Sequence, residues 1–475
     1  MPASTPMPPR AMTKVVATIG PASSSEDILR QLIRAGMSVA RMNFSHGSHD
    51  SHRVVIHRLR RLCREEGVTV AVLQDLSGPK IRLAEMAAPL AVRAGDRVTL
   101  SASADIAADL ATDFPDLPAM VNRGDTVLID DGYIEMEVEA VTPPLVNLKV
   151  RSDGIVRSRK GINLPDLSTA VPVFTAKDRA DLEFGLNEQV DLVAMSYVAA
   201  ATDADPIRAL MKEFSWEVPV IAKIERPAAL DNINAIVDAF DGIMIARGDL
   251  GVEVAPERVP IIQKQLIDLA NRRNRLVITA TQMLESMIKN PRPTRAEASD
   301  VSNAILDGSD AVMLSGETAI GEWPVEAVQM MQRIARTTEA SDRYGRRTLP
   351  EIDNAADPAA AIVAGAASTA RLLNARCILV FSYSGATARL LSRRRPHCPV
   401  IAFTPQEAVV NQLAACWGVL PLRMEFTSGT DQMIMLAEEM LKLKGLVSPG
   451  DRVITVAGVT PMKGATNMLR VSEIA

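Results

Sequence analysis

Eight apolar, β-branched runs of strand length alternate with longer stretches of helical periodicity along most of this chain. The runs begin near residues 14, 38, 68, 191, 218, 241, 275 and 311. This alternation is typical of βα units that build a parallel sheet. Because eight parallel strands close a barrel, the sequence predicts an α/β chain with a (β/α)8 TIM barrel.

The sequence predicts two further domains, one inserted into the barrel and one that follows it. Between Gly78 and about Val171 the pattern changes to short alternating strands separated by Gly-Asp turns, which predicts a small inserted β-barrel domain. Because it follows a strand's C-terminal end, this domain would overhang the barrel mouth as a lid. From about residue 347 a separate C-terminal α/β domain follows a polar linker. The predicted boundaries are a disordered tail at 1–12, the barrel at 13–78 and 172–346, the lid at 79–171 and the C-terminal domain at 347–475.

The composition describes an ordinary globular chain of several domains, because 475 residues exceed what one core accommodates. A net charge of −5 gives no general attraction to nucleic acid, so no nucleic-acid partner is expected. The longest apolar tract, residues 359–370, is shorter than the roughly 18 to 20 residues of a membrane helix, so no membrane partner is expected either. Four scattered cysteines and the lack of a secretory signal favour a cytoplasmic location.

Charged and hydroxyl side chains occur where the predicted barrel strands end. Reactive side chains of such barrels lie at the C-terminal strand ends. A ring of salt bridges closing the mouth is the alternative explanation for any single residue. Cations and carboxylates at successive strand ends instead favour a site. The residues are Arg41, Asn43, Ser45, His46, Asp75, Lys223, Glu225, Arg247, Asp249, Thr279, Thr281, Ser315 and Glu317.

Two carboxylates and two cations of this set suit an anionic substrate. Lys223 and Glu225 are two residues apart, so they point the same way from a strand. Glu225 and Asp249 are the hard oxygen ligands that Mg²⁺ prefers. Lys223 and Arg41 add positive charge. We therefore expect a metal-assisted site that binds a phosphate together with a carboxylate.

Long motifs in a fixed order make the chain resemble the pyruvate kinase family. They include TKVVATIGPAS, SVARMNFSHG, DLSGPKIR, DGIMIARGDLGVE, ATQMLESM and PTRAEASDVSNAILDGSDAVMLSGETA, and together they cover residues 13 to 472. The resemblance implies transfer of the phosphoryl group of phosphoenolpyruvate to ADP, giving pyruvate and ATP in glycolysis, with Mg²⁺ or Mn²⁺ as cofactor. It also implies a regulatory C-terminal domain and a homotetramer.

The resemblance further implies roles for individual residues. Glu225 and Asp249 would bind the divalent metal, and Lys223 would stabilise the phosphoryl group and the enolate. Ser315 and Glu317 would belong to a proton relay beside Thr281. Substrate binding would involve Arg41, Lys223, Gly248, Asp249 and Thr281. Nucleotide binding would involve Asn43, His46, Arg82, Lys160 and Asn163.

One departure from the family concerns its monovalent-cation region, which corresponds here to Asn43, Ser45, Asp75, Leu76 and Lys80. Members that need K⁺ generally have threonine and glutamate at the positions of Leu76 and Lys80. An ammonium near that region could supply the charge that K⁺ supplies elsewhere, so we expect activity without K⁺. The alternative is a lysine that merely extends into solvent.

A loop in the last domain resembles the family's effector-binding loop. Ser382, Ser384, Gly385 and Thr387 precede a helical stretch, which is an arrangement that binds anions. A phosphorylated allosteric effector is therefore an expected partner. The alternative is an ordinary helix start, because no basic residue lies between Ser382 and Ala388.

Two other functions stay open at the level of sequence. The first is a metal-dependent lyase or aldolase that acts on a pyruvate enolate, against which the lid, the C-terminal domain and Thr281 argue. The second is a non-catalytic effector-binding relative, against which the presence of Lys223, Glu225 and Asp249 argues. The segment 197–200, YVAA, departs from the more common phenylalanine followed by polar or basic residues, and the sequence offers no account of it.

Overall fold

A closed barrel of eight parallel strands forms the centre of the molecule. The computed structural model describes residues 10–103, 105–112, 114–165, 173–345, 357–427, 429–458 and 466–475. The barrel strands follow one another in chain order, and the eighth pairs with the first. They are Lys14–Ile19, Val39–Asn43, Ala71–Asp75, Leu192–Met195, Val220–Ile224, Gly242–Ala246, Leu276–Ala280 and Ala311–Leu314. The predicted barrel is confirmed strand by strand.

The barrel interior is a packed apolar core. Its inward-facing side chains include Val16, Leu73 and Met244, all inaccessible to solvent. Neighbouring strand residues face the surrounding helices instead, as the two-residue period of a strand requires. Ala414 and Ala415 of the C-terminal domain join the inner cluster, so this domain packs against the barrel. Polar groups therefore collect at the strand ends.

Helices and short turns surround the barrel, and the first helix has clear residues at its two ends. The Ser25 hydroxyl accepts from Ile28 N at its start, and Gly36 ends it at a φ of 108°, which favours glycine. The barrel helices are Glu26–Ala35, His49–Glu66, Ala176–Asn187, Ala204–Glu213, Pro227–Asp231, Ile233–Ala239, Arg247–Glu253, Val259–Arg272, Arg295–Asp307, Gly316–Ala319, Pro324–Glu339 and Asp342–Gly345. Single 3₁₀ turns are Ala201–Asp203, Pro256–Arg258 and Glu285–Ile288.

The inserted lid is a small β domain with its own core. A six-stranded sheet has the order Ile162–Asn163, Thr126–Ile129, Ile134–Thr142, Leu145–Val150, Arg97–Ser101 and Leu110–Ala111. Bridges from Arg82 to Gly161 and from Leu83 to Thr112 connect the two edges, which gives the barrel-like closure that the alternating pattern predicted. A ribbon of Leu90–Val92 and Gly154–Val156 and the short helix Leu117–Met120 complete the described part of the lid.

The C-terminal domain contains a five-stranded sheet flanked by helices. In spatial order the strands are Val419–Arg423, Val400–Thr404, Cys377–Phe381, Arg452–Gly458 and Thr466–Glu473. The last is antiparallel and forms an edge. The helices are Pro358–Leu373, Ala386–Arg393, Glu407–Leu413 and Thr430–Leu443. No helix in the described part of the chain combines the length and apolar character needed to cross a bilayer.

The prediction of a disordered tail at 1–12 is wrong for its last three residues. Ala11 is buried, and its N–H donates to Gln332 Oε1 at 2.9 Å. Met12 N–H donates to Glu339 Oε2, and Met12 O accepts from Gly418 N. These partners lie more than 300 residues away in sequence, so local composition gives no sign of them. Residues 1–9 and the predicted boundaries at 171/172 and 346/347 lie outside the described residues.

Candidate active site

Four of the predicted residues form one cluster of ion pairs at the barrel mouth. Arg41 Nε lies 2.6 Å from Asp75 Oδ2, and Lys223 Nζ lies 3.3 Å from Asp75 Oδ1. Lys223 Nζ also lies 2.8 Å from Glu225 Oε1. We call Arg41, Asp75, Lys223 and Glu225 the mouth cluster. Its side chains lie at the ends of the second, third and fifth barrel strands, which consecutive parallel pairings bring together.

The charged side chains of the mouth cluster are buried. Burial alone would lower the pKa of Lys223, but the charges of Asp75, Glu225 and Asp249 raise it above its ordinary value. Burial would likewise raise the pKa of Asp75, but Lys223 and Arg41 lower it. At neutral pH Lys223 is therefore a cation and Asp75 an anion.

The donor set at Glu225 fits a divalent cation. Burial raises the pKa of Glu225, and the nearby charge of Asp249 raises it further against the attraction of Lys223. A metal ion would relieve this repulsion between two carboxylates. Within the described ranges no cluster of three or more histidine, cysteine or carboxylate ligands is present. Two protein ligands would leave the remaining positions to water and substrate oxygens, as Mg²⁺ sites commonly do.

A strained turn follows the seventh strand and joins Thr281 to Gly248. Thr281 and Gln282 have φ angles of 65° and 54°, which L-residues rarely adopt. Gly248 N donates to Thr281 Oγ1 at 2.7 Å, and that hydroxyl donates to Ala280 O at 2.6 Å. Strain of this kind persists where surrounding contacts enforce it, often at functional sites.

Arg247, the residue that follows the sixth strand, connects the strained turn to the next helix. Its Nη1 lies 2.7 Å from Asp300 Oδ1, and its Nη2 donates to Thr281 O at 2.7 Å. Its Nε donates to Ala280 O at 3.3 Å. The guanidinium thus holds the strained turn to the start of the helix Arg247–Glu253, which carries Gly248 and Asp249.

Ser315 and Glu317 lie together after the eighth strand. Glu317 accepts from Ser315 N at 2.7 Å and from Leu284 N at 3.0 Å. Burial raises the pKa of Glu317, although these N–H groups oppose the shift. The buried Ser315 hydroxyl has no hydrogen-bond partner among the described residues. Both features suit groups that hand on a proton.

The predicted nucleotide-binding residues fall into two sets. Burial lowers the pKa of His46, and the charges of Arg82, Lys80 and Arg41 lower it further, so these side chains share one positive region near the mouth. Lys160 instead pairs with Asp130 inside the lid at 2.7 Å. Asn163 Nδ2 donates to Glu253 Oε1 of the barrel at 3.2 Å. Asn43 Oδ1 accepts from Ser45 N at 3.1 Å.

The predicted monovalent-cation region is already crowded with protein charge. Asp75 pairs with Arg41 and Lys223. Leu76 is buried, whereas Lys80 is exposed and its charge lowers the pKa of His46.

The predicted effector loop precedes an eight-residue helix, Ala386–Arg393. Gly385 has a φ of 74°, and Ser382 N donates to Phe403 O. Thr387 Oγ1 lies 2.7 Å from Thr466 Oγ1. Arg389 turns back so that its Nη1 donates to Ser384 O at 2.8 Å. A basic group therefore does contact this loop.

Several supporting groups were missed from the sequence. Ser196 accepts from Lys223 Nζ and donates to Leu76 O, both at 2.7 Å. Thr18 accepts from Arg41 at 2.8 Å. Both follow or end barrel strands, so a complete survey of strand ends would have found them. Asp300 lies within a helix and gave no such signal.

The segment 197–200 now has a structural account. Tyr197 has a φ of 60°, and its N–H donates to Glu225 Oε2 at 2.7 Å. Ala199 N and Ala200 N both donate to Asp203 Oδ2 at 2.8 Å. The segment therefore orients a candidate metal ligand through its backbone.

A barrel whose mouth carries cations and two carboxylates that fit a divalent metal is typical of one class, the metal-assisted enzymes that act on anionic substrates. The pyruvate kinase barrel-domain family matches residues 10–328, and the pyruvate kinase alpha/beta-domain family matches residues 360–472. The pyruvate kinase of Clostridium perfringens is 41% identical over 471 residues, covering 97% of this chain and 99% of that one. That of Geobacillus stearothermophilus is 43% identical, covering 98% and 80%. A solved pyruvate kinase structure from Cryptosporidium parvum has a TM-score of 0.90 at 34% identity, covering 98% and 96%. The chain belongs to the pyruvate kinase family.

Family membership defines the reaction. The enzyme is a phosphotransferase whose substrates are phosphoenolpyruvate and ADP, and it requires a divalent metal. Neither the lyase nor the non-catalytic alternative is favoured.

Proposed function

We propose that the mouth cluster carries out the phosphoryl transfer, with Mg²⁺ or Mn²⁺ bound by Glu225 and Asp249. The observation that supports this most is the position of Lys223, a buried cation between Asp75 and Glu225. Arg41 and Lys223 would contact the phosphoryl group, and Gly248, Asp249 and Thr281 would hold the rest of phosphoenolpyruvate. A metal held by Glu225 and Asp249 would neutralise charge that develops on the phosphoryl group.

The residues divide the reaction between charge stabilisation and proton delivery. Lys223 remains protonated, so it stabilises charge on the transferring group and then on the enolate oxygen. Thr281 would lie beside the carbon that is protonated. Ser315 and Glu317 would belong to the relay that delivers the proton to this carbon. His46, Arg82 and Asn43, with Lys160 and Asn163 of the lid, would bind the nucleotide.

We also infer that K⁺ is not required. Asp75 already has two cationic partners, and Lys80 adds charge beside His46. The test is pyruvate formation from phosphoenolpyruvate and ADP with Mg²⁺ in a Na⁺ buffer without K⁺. Full turnover supports the pyruvate kinase reaction and its independence of K⁺. A several-hundred-fold stimulation by K⁺ would contradict K⁺ independence but would still support the reaction.

A phosphorylated effector is proposed for the loop that contains Ser382, Ser384, Gly385 and Thr387. The contact of Arg389 with Ser384 O supports an anion site there. Thr387→Glu should abolish any activation by sugar phosphates or AMP, because it places a negative charge in the loop. Kinetics that stay activated after this change would contradict the assignment.

We further propose a cytoplasmic homotetramer. The described cysteines are all free, which fits a reducing compartment. The strand Thr466–Glu473 forms a sheet edge, and Val471 on it is 46% exposed. Such an edge suits association with a second copy. Sedimentation that shows a stable monomer would contradict this proposal.

A further inference from the structure

The lid contacts the barrel at the helix that carries Asp249. Asn163 Nδ2 donates to Glu253 Oε1 at 3.2 Å, so a lid strand reaches the last residue of Arg247–Glu253. A Cβ atom placed on Gly132 would lie 3.5 Å from Cγ1 of Val252, so a lid turn lies beside the same helix. Two lid segments therefore contact one short helix.

Glu253 occupies an unusual position for a carboxylate. Its side chain is only 3% exposed, and Nε of Arg226 lies 3.7 Å from Glu253 Oε2. That oxygen has no hydrogen bond among the described residues. A buried carboxylate oxygen without a hydrogen bond is costly, so its retention calls for a compensating role.

Glu253 and Asp249 are four residues apart in one helix and so lie on the same face. Like charges at this spacing are unfavourable. Arg226, which follows Glu225, is the cation beside Glu253. Burial raises the pKa of Glu253, and the Asp249 charge contributes to the shift while Arg226 and Asn163 oppose it. The two carboxylates therefore affect each other.

We propose that Glu253 is a positioning residue through which the lid orients the metal ligand Asp249. Asn163 holds Glu253 from the lid, and Glu253 fixes the end of the helix on which Asp249 lies. The inference rests on the metal role proposed above for Asp249. It predicts that loss of a lid side chain weakens metal binding before any nucleotide is present.

The test measures Mn²⁺ binding to the full-length enzyme by electron paramagnetic resonance, without phosphoenolpyruvate or nucleotide. Asn163→Ala and Glu253→Ala should each raise the Mn²⁺ dissociation constant about tenfold, as loss of groups that orient metal ligands does. The double variant should be no weaker than Glu253→Ala alone, because both changes break one link. Asn147→Ala, on the lid strand Leu145–Val150, is the matched control and should bind like the unaltered enzyme.

The outcomes separate this inference from the metal site itself. Binding by Asn163→Ala within twofold of the unaltered enzyme overturns the inference, as does a double variant in which the two effects multiply. If Glu253→Ala does not fold, the Mn²⁺ dissociation constant of Asn163→Ala alone still tests the inference. Glu225→Gln should lose Mn²⁺ binding in every background. Retention of binding by Glu225→Gln, or no binding by the unaltered enzyme, would overturn the metal site and this inference with it.

Discussion

Single residues at the mouth combine burial with charge in ways that packing alone does not explain. Lys223, Asp75 and Glu225 are nearly inaccessible, yet they carry or share charge. The buried hydroxyl of Ser315 is also costly, because it has no hydrogen-bond partner among the described residues. Groups that are expensive to bury and lie beside one another are better explained by chemistry than by stability.

Ser315 offers a substitution that separates function from folding. Because Ser315→Ala removes no side-chain hydrogen bond to any described residue, we expect the free energy of unfolding to change by less than about 0.5 kcal/mol. Loss of a proton-relay group should lower kcat about ten- to hundredfold, measured as pyruvate formation.

The matched control for Ser315 is Ser309→Ala. Ser309 Oγ lies 2.7 Å from Thr279 Oγ1 and donates to Ala304 O at 2.8 Å. Its loss should cost about 1 to 3 kcal/mol of stability and leave kcat unchanged. If Ser315→Ala instead lost stability and kept its kcat, while Ser309→Ala lost kcat, Ser315 would not belong to the proton relay.

At the scale of elements, short helices after the strands orient the site. The helix Arg247–Glu253 is held at its start by Arg247 and at its end by Glu253. The strained turn at Thr281 is fixed by the same arginine. An arginine therefore follows the sixth strand because its side chain joins the start of this helix to the turn at Thr281.

Arg247→Lys tests this joining role. Lysine keeps the charge but cannot form the forked contacts to Asp300 and Thr281 O. We expect kcat/KM for phosphoenolpyruvate to fall about ten- to hundredfold, because small displacements of reacting groups are costly. Arg273→Lys is the control, since Arg273 pairs with Asp238 at the start of the seventh strand, away from the mouth. Equal losses in both variants would contradict the assignment.

Sequence period predicted most of the architecture, and strand ends predicted most of the site. All eight barrel strands lie where the apolar runs indicated, and an α/β domain follows the barrel as expected. Contacts between distant segments were not predictable, because they depend on three-dimensional packing. The Asn163 contact with Glu253 and the Arg247 contact with Asp300 are of this kind. The packing of Met12 against Glu339 is another, and it overturned the tail prediction.

At the scale of the whole molecule, a half-buried lysine joins the C-terminal domain to the barrel. Lys14 Nζ donates to Val419 O at 2.7 Å, between the first barrel strand and the C-terminal sheet. Burial lowers the pKa of Lys14 from 10.5 to about 8, and the Arg10 charge adds to the shift. The interface therefore holds a charge that folding disfavours.

Lys14 gives a pH prediction with a defined sign. Between about pH 8 and 10.5 the unfolded chain binds more protons at Lys14 than the folded chain, so this group makes stability rise with pH. Lys14→Met should lack that contribution. The measurement is urea-induced unfolding of both proteins across this range. The difference in free energy of unfolding should shift toward the unaltered enzyme as pH rises, and a constant difference would contradict the prediction.

The most direct test of the account is the rate of pyruvate formation by Lys223→Gln, with Lys212→Gln, an exposed lysine on the helix Ala204–Glu213, as the control. If the mouth cluster carries the phosphoryl transfer, kcat of Lys223→Gln falls by about a thousandfold or more while the control is unaffected. Circular dichroism of both variants shows whether each is folded. A folded Lys223→Gln enzyme with kcat within tenfold of the unaltered one would contradict the central claim.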